Sequence, residues 1–287
     1  MNTMVELRDG VEGLLTLNSN SIDLVLSDLP SGSTQAPFDR VPDLRRFWPA
    51  VWNCLKPNGI VVLMASSLRF ASTLLASQEA RFRYDLIWSK SLATGHLNAQ
   101  LAPLRSHENI LVFSRARGCY YPQMTEGASP IHACRKKAGA EGENYGKTTT
   151  VTHSRAGKTD RYPVSVLEFA SVGTSSKDRV HPQQKPVSLL RWLIRSYSTP
   201  GDWIVDPYAG SGSTGIAARE ESRNFIGFDS DPRFGAAECF TCGGTGEIDE
   251  TIGGAVMARH DSHAPCPDCQ NPRCRVGGPH HLVGDKS

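Results

Sequence analysis

Long apolar runs are missing from this 287-residue chain. The longest, Ile60 to Ala65, falls far short of the ~20 residues that cross a bilayer as a helix, so no membrane partner is expected. The opening stretch MNTMVELRDG has no apolar core of the secretory kind, and a soluble, cytoplasmic protein is the expectation. Charge of one sign is scarce as well. Lys and Arg number 31 against 29 Asp and Glu, a net charge of +2, which by itself announces no nucleic-acid binder. No internal repeat is visible. Cysteine is thin over most of the chain: Cys54, Cys119 and Cys134 are scattered, while Cys239, Cys242, Cys266, Cys269 and Cys274 crowd its last fifth. Without a secretion signal, such crowding argues for metal rather than disulfides.

What is present suffices for a sizeable core. Hydrophobic residues make up 39% of the chain, enough for one large α/β domain and a small appendage. Ser21–Ser27 reads as a buried strand ending at Asp28, and Leu44–Leu55 has helical spacing. Lys56–Gly59 (Lys-Pro-Asn-Gly) reads as a turn, and Ile60–Met64 as a second buried strand. Tyr84–Trp88, Asn109–Phe113, Trp203–Val205 and Asn224–Phe228 are further short strands, Val187–Tyr197 an amphipathic helix. Strands alternating with helices imply a mostly parallel sheet covered on both faces. From Ser114 to about Thr159 the periodicity dissolves into Gly, Ser, Thr, Lys and Arg. An irregular stretch of that length is functional or disordered. Between Arg105 and Lys185, 13 Lys and Arg stand against 7 Asp and Glu, a local excess that would suit phosphates.

Two loops carry chemistry. Val205–Thr214 reads V-D-P-Y-A-G-S-G-S-T, after a strand and before a helix starting near Thr214. Glycines there let backbone approach a nucleoside, and helix N–H groups face a carboxylate or phosphate. Asp229 ends the next strand, where an acid commonly binds ribose hydroxyls. No Lys-Ser/Thr follows the glycines, which disfavours a P-loop, and Asp206-Pro207 replaces the first glycine of a dinucleotide fingerprint. The second loop, Asp28-Leu29-Pro30-Ser31, places a carboxylate at the carboxyl edge of the sheet.

Asp28-Leu29-Pro30-Ser31-Gly32-Ser33-Thr34 resembles the D-P-P-Y-type catalytic motif of amino-methylating DNA methyltransferases, especially its D-L-P-Y-G-T-T form. Asp206-Pro207-Tyr208-Ala209-Gly210-Ser211-Gly212-Ser213 is similar to the D-P-F-x-G-S-G-T cofactor motif of that family. His181-Pro182-Gln183-Gln184-Lys185-Pro186 resembles its H-P-x-Q-K-P segment, and Ser106–Phe113 its H-E-x-I-L-x-F strand. The order, catalytic loop first and cofactor loop last, resembles the β class, and the likeness runs over residues 4–237.

That resemblance implies a Rossmann-like S-adenosylmethionine-dependent methyltransferase fold over 1–237, with a target-recognition insert at about 114–180. It implies transfer of methyl from S-adenosyl-L-methionine to N6 of adenine in flipped-out, double-stranded DNA, in a bacterial or phage-encoded enzyme. D-L-P-x-G-S-T resembles adenine methylators more than S-P-P-Y cytosine-N4 enzymes, and cytosine-N4 is the nearest alternative. Asp28, Pro30 and Ser31 are the implied catalytic residues. Asp9, Asp28, Lys185, Asp206, Tyr208, Gly210, Gly212, Ser213 and Asp229 are implied for the cofactor, with Lys185 near its carboxylate and Asp9, before the first strand, near its adenine. Ser31 stands where the family carries an aromatic ring. Either another aromatic substitutes, with Phe38 and Trp88 the candidates, or the enzyme is slow, altered in substrate or inactive, the last being a catalytically impaired DNA-binding protein on a methylase fold; activity is expected to persist, since Asp28 and Pro30 remain. C5-cytosine chemistry is rejected, because the one Pro-Cys, Pro265-Cys266, falls within a paired CxxC. Cys239-Phe-Thr-Cys242 and Cys266-Pro-Asp-Cys269 have the spacing of a tetrahedral zinc site, and the first also resembles the CxxCxGxG zinc modules of chaperone co-factors. Residues 238–287 are therefore expected to form a zinc-binding module, with binding DNA, pairing two subunits as a homodimer and capping the domain as its open uses.

Overall fold

A computed structural model of the chain describes residues 2–36, 39–127, 129–130, 141–142, 146–147, 155, 157–173 and 184–231. They form two compact units, one running to Tyr121 and resuming at Ser165, the other being Pro122–Val164.

The first unit begins with β1 (Thr3–Leu7), α1 (Gly10–Leu15), β2 (Ile22–Asp28), α2 (Leu44–Cys54), β3 (Leu55–Ala65), α3 (Leu68–Ser77), β4 (Phe82–Thr94) and β5 (Arg105–Ser114). The second unit holds β6 (Thr125–Glu126), which pairs antiparallel with β9 (Asp160–Arg161), and β7 (Glu141–Gly142), which pairs antiparallel with β8 (Gly146–Lys147). The first unit resumes with β10 (Val166–Phe169), α4 (Val187–Tyr197), β11 (Trp203–Asp206), α5 (Ser213–Glu220) and β12 (Asn224–Asp229).

Eight strands make one sheet in the order β1-β12-β11-β2-β3-β5-β4-β10. All neighbours run parallel except β3/β5 and β5/β4, so the expected mostly parallel sheet is present. Alternation of side chains along each strand divides the core in two. Leu24, Leu26, Val62 and Met64 pack with α4 and α5 residues such as Leu189, Leu193 and Ala217. Ile22, Val25, Val61 and Leu63 pack with Leu14, Phe47, Trp48 and Leu74 of the helices on the other side. Strands buried on both faces need apolar residues at consecutive positions, which is why Ile60–Ala65 is the longest apolar run. Each such side chain contributes about 1.5–3 kcal/mol when removed from water.

Helix starts follow local chemistry. Asp9 caps α1 by accepting from the N–H groups of Val11 (3.0 Å) and Glu12 (3.1 Å). Asp43 caps α2 through the Arg45 N–H at 2.9 Å, and Ser67 caps α3 through the Phe70 N–H at 3.2 Å.

Several expectations need correction. Asp9 does not precede the first strand: β1 comes before it. Lys56–Gly59 is not a free turn but the irregular start of β3, where the β2 pairing shifts register between Ile22 and Leu24. β10, within the stretch expected as an insert, pairs parallel with β4 in the main sheet. Among the described residues no helix is long and apolar enough to cross a membrane. The zinc-ligand candidates Cys239, Cys242, Cys266 and Cys269 lie outside the described residues, as do His181, Pro182 and Gln183.

A candidate active site where the strand order reverses

β11 and β2 are neighbours, but their chains leave in opposite directions. β11 continues through α5 to β12 on one side, and β2 through α2 to β3 on the other. Loops leaving two such strands diverge, and the crevice between them is where open α/β sheets bind ligands. A cavity of about 410 Å³ occupies that place. Asp28 lines it from the β2 side, while Asp206, Tyr208, Gly210 and Ser213 line it from the β11 side.

The β11 loop is shaped by Asp206, which is 3% exposed. Its carboxylate accepts from Ser27 Oγ (2.6 Å), the Tyr208 N–H (3.0 Å) and Thr214 Oγ1 (2.7 Å). Burial pushes it up to about 6, against those three hydrogen bonds. Asp206 thus ties the loop to β2 and to α5. Gly210 (φ +49°) and Gly212 (φ +73°) take left-handed conformations, which carry little penalty without a Cβ. A Cβ on Gly210 would meet nothing within 4 Å, so open space lies above the turn. Gly10 is needed for a different reason: its Cβ would come within 2.2 Å of the Pro207 carbonyl oxygen. That approach seats α1 against the loop.

Asp229 ends β12 and faces the same cavity. Its Oδ2 accepts from the Gly210 N–H and its Oδ1 from the Asp231 N–H, both at 2.8 Å. The N-terminus of α5 has no side-chain cap and is lined by Ser211, Ser213 and Thr214 at the cavity wall. Uncapped N–H groups there suit a carboxylate.

Asp28 lies across the cavity. Lys185 Nζ donates to its Oδ2, and its Oδ1 has no hydrogen-bond partner among the described residues. Burial raises Asp28 above the usual carboxylate range and Glu108 adds to this, while Lys185 opposes it. Lys185 also pairs with Glu108 Oε2 at 3.4 Å. Burial would lower this lysine, but the two facing carboxylates outweigh it and hold it high. Lys185, expected beside a cofactor carboxylate, lines the cavity and has these two acids as its partners among the described residues.

Asp39 is a residue that sequence reasoning missed. It is 6% exposed and gathers the loop after Asp28. Its Oδ1 accepts from the N–H groups of Ser31 (2.7 Å) and Gly32 (2.8 Å), its Oδ2 from the N–H (2.7 Å) and hydroxyl (2.8 Å) of Thr34. Burial would raise its carboxyl, but these donors hold it below the ordinary range. An acid followed by Arg-Val-Pro carries no motif, and only a loop that closes on itself reveals its use. Ser31 bonds Ser33 (2.8 Å) and Ser66 (3.1 Å) through its hydroxyl. Trp88 does not replace the missing ring: it is 3% exposed in the core, with its indole N–H on the Phe169 carbonyl. Phe38 lies outside the described residues.

Six carboxylates (Asp9, Asp28, Asp39, Asp206, Asp229, Asp231) and two cationic side chains (Arg40, Lys185) line the cavity. An acid-rich wall with an uncapped helix start suits a ligand that carries a cation, a carboxylate and ribose hydroxyls together. It is unsuited to a polyphosphate.

Residues 33–236 match a family model of N6/N4 methylases described as DNA methylase. The type II methyltransferase M.HpaI of Haemophilus parainfluenzae is 23% identical over 231 residues, covering 77% of this chain and 68% of that protein. The type II methyltransferase M.BglII of Bacillus subtilis is 25% identical over 245 residues, covering 79% and 65%. The chain thus spans about two thirds of the length of these relatives. Among solved structures, the M1.HpyAVI–SAM complex aligns with a TM-score of 0.54 at 19% identity, covering 82% of this chain and 96% of that one. The PvuII DNA methyltransferase (cytosine-N4-specific) aligns with a TM-score of 0.55 at 17% identity, covering 82% and 85%. At these identities the structural likeness bears on the fold.

Proposed function

Since the chain belongs to the N6/N4 DNA methylase family, we propose that it transfers a methyl group from S-adenosyl-L-methionine to the exocyclic N6 of an adenine in double-stranded DNA. The observation that carries this reading is the shared cavity: Asp28 and the glycine turn, through Gly210 and Ser211, line one space at the switch between β11 and β2. Had they lain on opposite sides of the sheet, no single flipped nucleotide could have reached both.

The donor set fits the cofactor. Asp229 and Asp9 suit its nucleoside, the α5 N-terminus with Ser211 and Ser213 its carboxylate, and the acidic wall its positive sulfur. When bound, it supplies an electrophilic methyl group. The remaining work belongs to the chain. An aromatic amine is a weak nucleophile because its lone pair is delocalised into the ring. Asp28 Oδ1 is available to accept one amine N–H, and the Leu29 and Pro30 carbonyls the other, which localises that lone pair. In this reading Asp28 also takes the proton that the amine gives up as the N–C bond forms and the S–C bond breaks. Fixing the amine in line supplies much of the rate.

Incubation with labelled S-adenosyl-L-methionine and unmethylated duplex DNA, followed by nucleoside analysis, tests this. N6-methyladenine is the expected product, and Asp28→Ala is expected to lower its formation by at least about 100-fold. N4-methylcytosine without N6-methyladenine would move the assignment to cytosine. Cofactor and DNA binding without any transfer would favour an impaired enzyme, the reading that Ser31 supports by bringing no ring to stack on the base.

The tail is assigned from spacing alone. Cys239, Cys242, Cys266 and Cys269 bind one structural zinc in this reading, and so short a segment depends on metal to fold. Elemental analysis should find one zinc per chain, lost with chelator or in Cys239→Ser. A metal-free preparation whose tail is equally resistant to protease would refute it. Whether the tail pairs two chains is read directly from the mass of the protein in solution.

A further inference from the structure

Four charged side chains of alternating sign extend inward from the cavity. Asp28 at the end of β2 pairs with Lys185. Lys185, just ahead of α4, reaches Glu108 on β5 at 3.4 Å, and Glu108 reaches Lys90 on β4 at 3.2 Å. Going inward, their side-chain exposures are 25%, 10%, 12% and 6%. Buried ions are costly, and removal of one partner leaves the others uncompensated. A row of four therefore requires all of its members. Its outer end is Asp28, which also lines the cavity, so the row runs from the ligand space into the protein.

We infer that Lys185, Glu108 and Lys90 act as positioning residues, a charge ladder that orients the Asp28 carboxylate toward the amine. This deepens the proposed methyl transfer and rests on it for the purpose of Asp28. Lys185 holds Oδ2 and so turns Oδ1 toward the cavity. Glu108 keeps Lys185 from collapsing wholly onto Asp28, and Lys90 balances Glu108. The charged groups facing Asp28 are Lys185, Glu108, Asp39 in the loop that follows, and Asp206 on β11. Of these, Lys185 favours the ionised carboxylate and the three acids disfavour it. Loss of Lys185 must therefore raise the titration midpoint of Asp28, and loss of the Glu108 charge must lower it.

The test is a carbon-13 NMR titration of the side-chain carboxyls in the full-length protein, with the Asp28 signal identified by its loss in Asp28→Asn. The midpoint should move up in Lys185→Met, stay near wild type in Lys185→Arg, and move down in Glu108→Gln. Should Lys185→Met fail to fold, the downward shift in Glu108→Gln decides. Unmoved midpoints, or shifts of both variants in one direction, would overturn the ladder. In parallel, the acid limb of kcat should follow each midpoint, whereas a scaffold role would lower kcat at unchanged limb position. Failure of the wild-type protein to methylate DNA would remove the proposed function, and the NMR midpoints would still decide the ladder.

Discussion

At the scale of single residues, aspartates at the ends of neighbouring strands play different parts because their surroundings differ. Asp28 lines the cavity and, among the described residues, only its Oδ2 has a hydrogen-bond partner, Lys185. Asp206 is enclosed and accepts three hydrogen bonds. With Asp206 raised from its ordinary 3.8 to about 6, the folded state prefers the protonated form. Its contribution to stability is fully present below pH 4 and lost as the pH rises through about 6. Two units correspond to about 3 kcal/mol as an upper bound. Denaturant unfolding of Asp206→Asn between pH 4 and 7 should lack that slope relative to wild type. An identical slope in both would show that Asp206 titrates normally. Asp28 and Asp206 both stood out in the sequence because each ends an apolar strand and is followed closely by proline. Lys185 stood out through its motif, but its partner did not: nothing in His-Pro-Gln-Gln-Lys-Pro names an acid 157 positions away.

At the scale of elements, the loop after β2 depends on one side chain. Asp39 satisfies three N–H groups and one hydroxyl between Ser31 and Thr34. Replacement by Ala leaves these donors to water, at a cost on the order of 1 kcal/mol each. Asp39→Ala should therefore accelerate amide exchange at Ser31, Gly32 and Thr34 and cut methyl transfer about tenfold or more. Unaltered exchange at these amides would show that the loop is held by other contacts. Its depressed carboxyl makes the same brace fail in acid, since the contribution is present above the ordinary carboxylate range and lost as the pH falls through its lowered value. Strands such as β2, β3 and β11 were legible because they are buried on both faces. β1, with burial on one face and a Met-Val-Glu core, and β10, with Leu167 its one buried residue, were not. Their place depends on neighbours distant in sequence.

At the scale of the whole molecule, the basic stretch is the feature to test. Arg135, Lys136 and Lys137 lie outside the described residues but within the segment whose composition suits phosphates. Replacing all three with Gln should weaken duplex DNA binding by about tenfold or more and flatten its salt dependence by up to about three counterions. Binding of S-adenosyl-L-methionine should be unaffected. An unchanged salt slope would place the DNA surface elsewhere.

Apolar period and glycine spacing are local properties, so the mostly parallel α/β class, the two loops at the carboxyl edge of the sheet and their order along the chain are legible from the residues alone. Long-range packing alone reveals that both loops open on one cavity, that Lys185 answers Asp28, that Trp88 is core and that Asp39 braces the loop after β2. Each of these is a contact between residues whose separation along the chain bears no relation to their distance in space. Such contacts follow from strand order, which is chosen by burial summed over the whole sheet and not by any one segment.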